Sequence, residues 1–133
     1  MIAASPSTLR IASALSRQPE AHATAEELIR NVRSQLGSAR IDLAFLFLSA
    51  HHADEAPQLS QAIRQALNPQ TLVGCTGEGV IATTQEVEQG PAATLWAAHL
   101  PDVALHPVRL AVSSVHDQFT LKGWPDDRFG DGR

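Results

Sequence analysis

The chain has 133 residues, of which 44% are apolar and 18% are charged, and its formal net charge is −4. This length and balance predict one folded globular domain, because the chain is too apolar for disorder and long enough to bury a core. The acidic balance and the lack of a Lys/Arg cluster argue against non-specific binding to nucleic acid or to an anionic membrane.

The chain contains a single cysteine, Cys75. It cannot form an intramolecular disulfide, and no cysteine pair is available for a metal site. The longest apolar run is much shorter than the roughly 20 residues that a membrane-spanning helix needs. We therefore expect a cytoplasmic protein without a metal or cofactor.

The first predicted elements are a strand over Arg10 to Ser16 and a helix after it. Thr24-Ala-Glu-Glu27 has the capping-box pattern, which predicts that the helix begins at Thr24. Gly37 is a typical residue for its end. Ile41 to Ser49 follows as a strand, and four consecutive apolar residues, Phe45 to Leu48, predict that it is central and buried on both faces.

A second helix is predicted after this strand, with Asp54 as its cap and Pro57 in its first turn. Asn68-Pro69 ends it, and Thr71 to Val73 is a short strand. A strand, a helix and a strand within about 35 residues indicate a βαβ unit with two parallel strands.

Only strands are predicted beyond this unit. Val80 to Thr84 and Ala92 to Leu100 have the pattern of a hairpin. Val103 to Leu110 is a further strand, in which Pro107 indicates an edge strand or a bulge. We thus predict an α/β (α+β) fold, in which a mixed sheet is covered by two helices. The predicted domain spans residues 8–116, and residues 117–133 are predicted to be a disordered tail.

The candidate site is the segment that follows Val73, which contains three glycines and is predicted to be a loop. Its residues are Gly74, Cys75, Thr76, Gly77, Glu78 and Gly79. Glycines let backbone amides approach a ligand closely, although they are equally suited to a bulge or a tight reversal between two strands. The spacing is not that of a dinucleotide-binding or phosphate-binding loop.

Cys75 supports a second hypothesis, in which the chain is a hydrolase or transferase. His51 or His52, at the end of the neighbouring predicted strand, would then act as the base for a Cys75 nucleophile. A cysteine after an apolar strand is, however, also a common packing residue. We expect no enzymatic activity.

The order of elements and the segment Leu-Val-Gly-Cys-Thr-Gly-Glu-Gly-Val-Ile, residues 72–81, resemble the N-terminal domain of the FIST family, named for F-box and intracellular signal transduction proteins. The resemblance covers residues 10 to 112. It implies a cytoplasmic sensory domain that binds a small ligand, with amino acids or their derivatives suggested. The only residues of this chain to which the resemblance assigns a place in the site are residues 74–79.

The chain differs from the family pattern at its C-terminal end. Family members usually continue through further strands and helices into a FIST C-terminal domain, whereas this chain ends about where those should begin. The segment from Phe119 onward is expected to match nothing in the family. A truncated form, a frameshifted product or a short paralogue is therefore expected. A sheet without its later strands would self-associate through an exposed edge or pair with a FIST C-terminal domain, and a third hypothesis is an interaction fragment without a ligand.

Overall fold

The computed structural model describes residues 8–82 and 84–125. Within this range it has two α-helices, one short 3₁₀ helix and eight strands. They are, in chain order, β1 (Arg10–Ser16), α1 (Ala21–Leu36), β2 (Leu43–Ser49), the 3₁₀ helix (Ala50–His52), α2 (Ala56–Leu67), β3 (Thr71–Gly77), β4 (Val80–Ala82), β5 (Gln85–Val87), β6 (Ala93–His99), β7 (Ala111–Val115) and β8 (Gln118–Lys122).

The main sheet has four strands in the order β1-β6-β2-β3. β2 and β3 are parallel, with Leu43 opposite Thr71, whereas β6 runs antiparallel to both β1 and β2. The predicted mixed sheet and its parallel pair are therefore confirmed. β2 is central because its apolar side chains gain contacts on the covered face and its backbone has a strand on each side.

Both helices pack on one face of this sheet. Leu46 and Leu48 of β2 contribute to a single core with apolar residues of both helices, including Leu28 of α1 and Ile63 of α2. The opposite face is more open, since Phe47 is 38% exposed. The prediction that β2 is buried on both faces is thus wrong, although the prediction that it is central is confirmed.

Helix α1 begins at Ala21, three residues before the predicted start. The Thr24 hydroxyl lies inside the first turn and donates to the backbone carbonyls of Glu20 and Gln18, at 2.8 and 3.0 Å. The Glu27 carboxylate accepts from the Ser16 hydroxyl at 2.5 Å instead of reaching back to an amide. The capping-box prediction is therefore wrong, because the Thr24 hydroxyl bonds to local carbonyls and the Glu27 carboxylate bonds to a residue of β1.

The C-terminal ends of both helices agree better with the sequence-based prediction. Gly37 ends α1 in a positive-φ conformation (φ 59°), and Asn68 ends α2 in the left-handed conformation (φ 45°). The Arg33 guanidinium lies between these ends: it donates to the carbonyls of Gly37 and Ala39 and, at 3.3 Å, to that of Leu67 in α2. The start of α2 differs slightly from prediction, with Glu55 at the cap position assigned to Asp54.

The two edges of the sheet differ. At the β1 edge, the Gln35 side-chain amide accepts from the Ser13 N–H at 3.2 Å and donates to the Ser13 carbonyl at 2.9 Å. This pair of hydrogen bonds is what a neighbouring strand would make, so Gln35 caps the edge. At the other edge, β3 pairs with β2 alone in the part of the chain that the structure describes.

A two-stranded hairpin, β4 and β5, follows β3. Its Val80 and Val87 are buried with Ala92, and Leu15 of β1 packs against them. The predicted hairpin between residues 80–84 and 92–100 is therefore wrong. β6, which lies in its second half, instead inserts between β1 and β2, where its small residues fit the crowded centre of the sheet.

Residues 104–125 belong to a second compact unit, which begins at Ala104. Residues 103–110 have no strand where one was predicted, and the hairpin β7–β8 follows. Its turn residues, His116 and Asp117, both have positive φ (49° and 60°), the conformation that a two-residue hairpin turn requires. β8 thus occupies part of the segment predicted to be a disordered tail, and residues 126–133 of that segment lie outside the described residues.

Candidate functional site

The candidate site segment lies mostly in a strand. β3 continues to Gly77, so Gly74, Cys75, Thr76 and Gly77 are strand residues, and the predicted loop at these four positions is wrong. Pairing with β2 holds them extended, because each is opposite a residue of that central strand. Only Glu78 and Gly79 connect β3 to the next hairpin.

Gly74 is required by the distance between two strands. A β-carbon at this position would overlap the backbone carbonyl oxygen of Leu46 in β2. The glycines with positive φ among the described residues are Gly37, Gly90 and Gly123, so the site glycines do not form a curved cradle of amides. A glycine is therefore needed at position 74 because the backbones of β2 and β3 lie close together there, and not because the position has an unusual backbone conformation.

A groove of about 420 Å³ lies between α2 and the edge strand β3. Its apolar part includes Leu46, Leu48 and Leu72, and its polar groups include Ser60, Arg64 and Thr76. The other lining residues are Ala56, Pro57, Val73, Gly74 and Cys75. A pocket with an apolar wall and a few polar groups can hold and orient a small molecule.

Arg64 and Ser60 are site residues that the sequence analysis missed. With Pro57 they lie three and four residues apart, so they form one stripe on α2 beside its buried face. Their spacing was visible in the sequence, but the strand that faces this stripe was not. The Arg64 guanidinium is paired with no carboxylate among the described residues, so it is available to an anionic group.

The family model of the FIST N domain matches residues 42–126, which is more than half of the chain. The chain belongs to the FIST N domain family. This is a sensory domain of signal transduction, and the match includes β2, α2 and β3, the three elements that build the groove.

Two mycobacterial proteins illustrate the relationship. Uncharacterized protein Rv0628c of Mycobacterium tuberculosis is 32% identical over 93 residues, which are 70% of this chain and 24% of that protein. Uncharacterized protein Mb0898c of Mycobacterium bovis is 32% identical over 90 residues, 68% of this chain and 23% of that protein. This FIST N domain chain thus spans about a quarter of the length of these curated relatives.

The family match also corrects one expectation about the C-terminal segment. The chain from Phe119 onward was expected to match nothing in the family, but the match continues to residue 126. It therefore includes the hairpin β7–β8 of this FIST N domain.

The six predicted site residues are divided between two places in the FIST N domain. Gly74, Cys75 and Thr76 line the groove. Gly77, Glu78 and Gly79 do not line it, and all three are exposed. The groove and the predicted segment therefore share three residues, and Glu78 lies just beyond the end of the strand that forms one wall.

The three residues of the alternative, enzymatic hypothesis lie in different environments. Cys75 is an exposed free thiol. His51 is exposed, whereas His52 is fully buried, with its Nδ1 3.4 Å from Glu55 Oε2. All three residues lie in the described range 8–82, and neither imidazole makes a hydrogen bond to the Cys75 thiol. The structure therefore has no preformed Cys-His pair among these residues.

Residues 8–82 and 84–125 contain no group of three or more His, Cys, Asp and Glu side chains that could hold a metal ion. In the same ranges no helix is both long enough and apolar enough to cross a membrane.

Proposed function

We propose that this FIST N domain is a cytoplasmic sensory domain without enzymatic activity that binds a small amino-acid-like molecule in the groove between α2 and β3. The observation that carries the proposal is the composition of the groove, in which a guanidinium that is paired with no carboxylate of residues 8–82 and 84–125 lies at an apolar wall. An amino acid has the complementary arrangement, since its carboxylate and its side chain are close together.

Each part of such a ligand has a candidate partner. Arg64 would bind the carboxylate, because a guanidinium forms paired, charge-assisted hydrogen bonds to carboxylates. The apolar portion would lie on Leu46 and Leu72, and the Thr76 hydroxyl would accept or donate a further hydrogen bond. Glu78 is the candidate for the ammonium group, because it is the acid nearest in sequence to the part of the groove wall that β3 forms.

The sequence-based proposal that the glycines hold the ligand through their amides becomes more specific in this geometry. Thr71 donates its amide to the Asp42 carbonyl, on the β2 side. Alternate residues of a strand point their backbone groups to the same side. The amides of Gly74 and Thr76 therefore point away from β2, toward the open edge, where a ligand could accept from them.

The test is a thermal-shift screen of amino acids and their derivatives with the purified chain. A ligand that binds only the folded protein raises the midpoint of unfolding in a saturable way. The Arg64→Gln variant should bind the same ligand about tenfold or more weakly, as expected for a lost hydrogen bond to a charged group. The methyl ester of the ligand, which has no carboxylate, should lose affinity for the unaltered chain by a similar factor.

Arg30→Gln is the matched control, because it removes the same charge from an exposed position on α1. It should bind the ligand with unchanged affinity. Equal affinities of the unaltered chain and Arg64→Gln, or equal affinities for the free acid and its ester, would contradict the proposed carboxylate site.

A further inference from the structure

We infer that the open edge of β3 is a self-association surface, through which two copies of this chain join their sheets. This inference goes beyond ligand binding and does not depend on it. It follows from a difference between the two edge strands of the four-stranded sheet: a side chain bonds to the outer backbone groups of β1 but not to those of β3 in the described residues.

The β1 edge is closed by a side chain. Gln35 satisfies both the N–H and the carbonyl of Ser13, and its own backbone carbonyl accepts from the Arg10 guanidinium at 2.9 Å. A second strand could not pair at Ser13 without displacing this amide. Sheet proteins commonly cover edges in this way to prevent association.

At the β3 edge, no side chain among residues 8–82 and 84–125 makes such hydrogen bonds to the strand. Residues 71–77 include no lysine, no proline and no charged residue, and Val73 to Gly77 are all exposed. The outward backbone groups of Leu72, Gly74 and Thr76 have no strand partner among residues 8–82 and 84–125. A strand of seven residues with free backbone groups is a template for another strand.

A second copy of the chain fits this edge better than a continuing series of copies. Each chain has a net charge of −4, but the edge strand is uncharged, so two copies can pair β3 with β3 without placing like charges opposite each other. Antiparallel pairing about a two-fold axis uses the same surface on both copies. It makes one eight-stranded sheet whose outer edges are both closed by Gln35, so the assembly ends at two.

This dimer would also bring the second copy beside the groove. Val73 to Thr76 form one wall of the groove and belong to the pairing strand. The partner's β3 would therefore lie along the open side of that wall and would take up the outward amides of Gly74 and Thr76, which leaves Arg64 and the side chains of the groove for a ligand.

The first measurement is the mass of the unliganded chain by sedimentation equilibrium in reducing buffer, over a series of concentrations. We expect a species of twice the chain mass of 14.2 kDa. Cys75→Lys should lose it, because two lysines would then lie close together across the paired strands. Gln61→Lys, at an exposed position on α2, adds the same charge outside the edge and should keep the dimer.

The single cysteine allows a second measurement that needs no substitution. Cys75 is exposed near the middle of β3, so a short bismaleimide should cross-link two copies through this residue. A chain that stays monomeric at all concentrations would overturn the inference. So would a dimer that Cys75→Lys, with an unchanged circular dichroism spectrum, does not weaken, or one that the reagent does not cross-link. Ligand binding is measured separately, so loss of the groove proposal would leave this result unaffected.

Discussion

At the scale of single residues, the site combines positions that the sequence identifies with positions that only the fold can identify. The glycine-rich segment is conspicuous in the sequence, but the reason for Gly74 is not, because it depends on the carbonyl of Leu46 in another strand. Arg64 is a surface residue by sequence. It becomes a candidate ligand residue only because α2 lies against β3.

Gly74 and Gly77 should respond differently to the same small change. Gly74→Ala should lower the free energy of unfolding by about 1–3 kcal/mol, the usual cost of forcing extra atoms into a packed region. In Gly77→Ala the new β-carbon would lie 3.1 Å from the Gly79 carbonyl oxygen, a tight contact in an exposed connection that can adjust. Urea unfolding of both variants measures the difference. A loss of stability at Gly77 equal to that at Gly74 would contradict this explanation.

At the scale of elements, the strands and helices of the first half were predictable because local pattern and tertiary contacts agree there. β1, β2 and α2 follow from alternation, an apolar run and helical spacing. β3 was predicted too short, since Gly74 to Gly77 have the composition of a loop and are held extended only by pairing with β2. β8 was missed because its turn, His116-Asp117, lacks the glycine or asparagine typical of such turns.

This turn offers a prediction about the hairpin β7–β8. The double substitution His116→Asn and Asp117→Gly should stabilise it by about 1 kcal/mol, because these residue types tolerate positive φ better than the native pair. Slower amide hydrogen exchange over residues 111–122 is the expected result. Asp102→Gly relieves a similar positive φ (62°) outside the hairpin and should leave exchange in β7 and β8 unchanged. Unchanged or faster exchange in the double variant would show that the turn does not limit the hairpin.

At the scale of the whole molecule, the fold class was predictable and the exposed surfaces were not. Two helices on a mixed sheet follow from the order of elements, whereas the insertion of β6 between β1 and β2 is a long-range pairing that no local pattern encodes. The same is true of the edge closed by Gln35. Its hydrogen bonds join α1 to β1 across 22 residues of sequence.

Removing that closure should change the size of the assembly. Gln35→Ala frees both backbone groups of Ser13, so we expect species larger than a dimer, detected by light scattering. Gln65→Ala, on an exposed position of α2, should scatter like the unaltered chain. If Gln35→Ala kept the native spectrum and the same mass as the unaltered chain, Gln35 would not be what limits association.

The position of Arg33 has a consequence for how the domain folds. One guanidinium serves the carboxyl-terminal carbonyls of α1, the turn after it and the end of α2. Both helix ends carry partial negative charge, and the same cation offsets both. The same side chain therefore stabilises the ends of both helices. We therefore expect the last turns of the two helices to open together, as one cooperative unit.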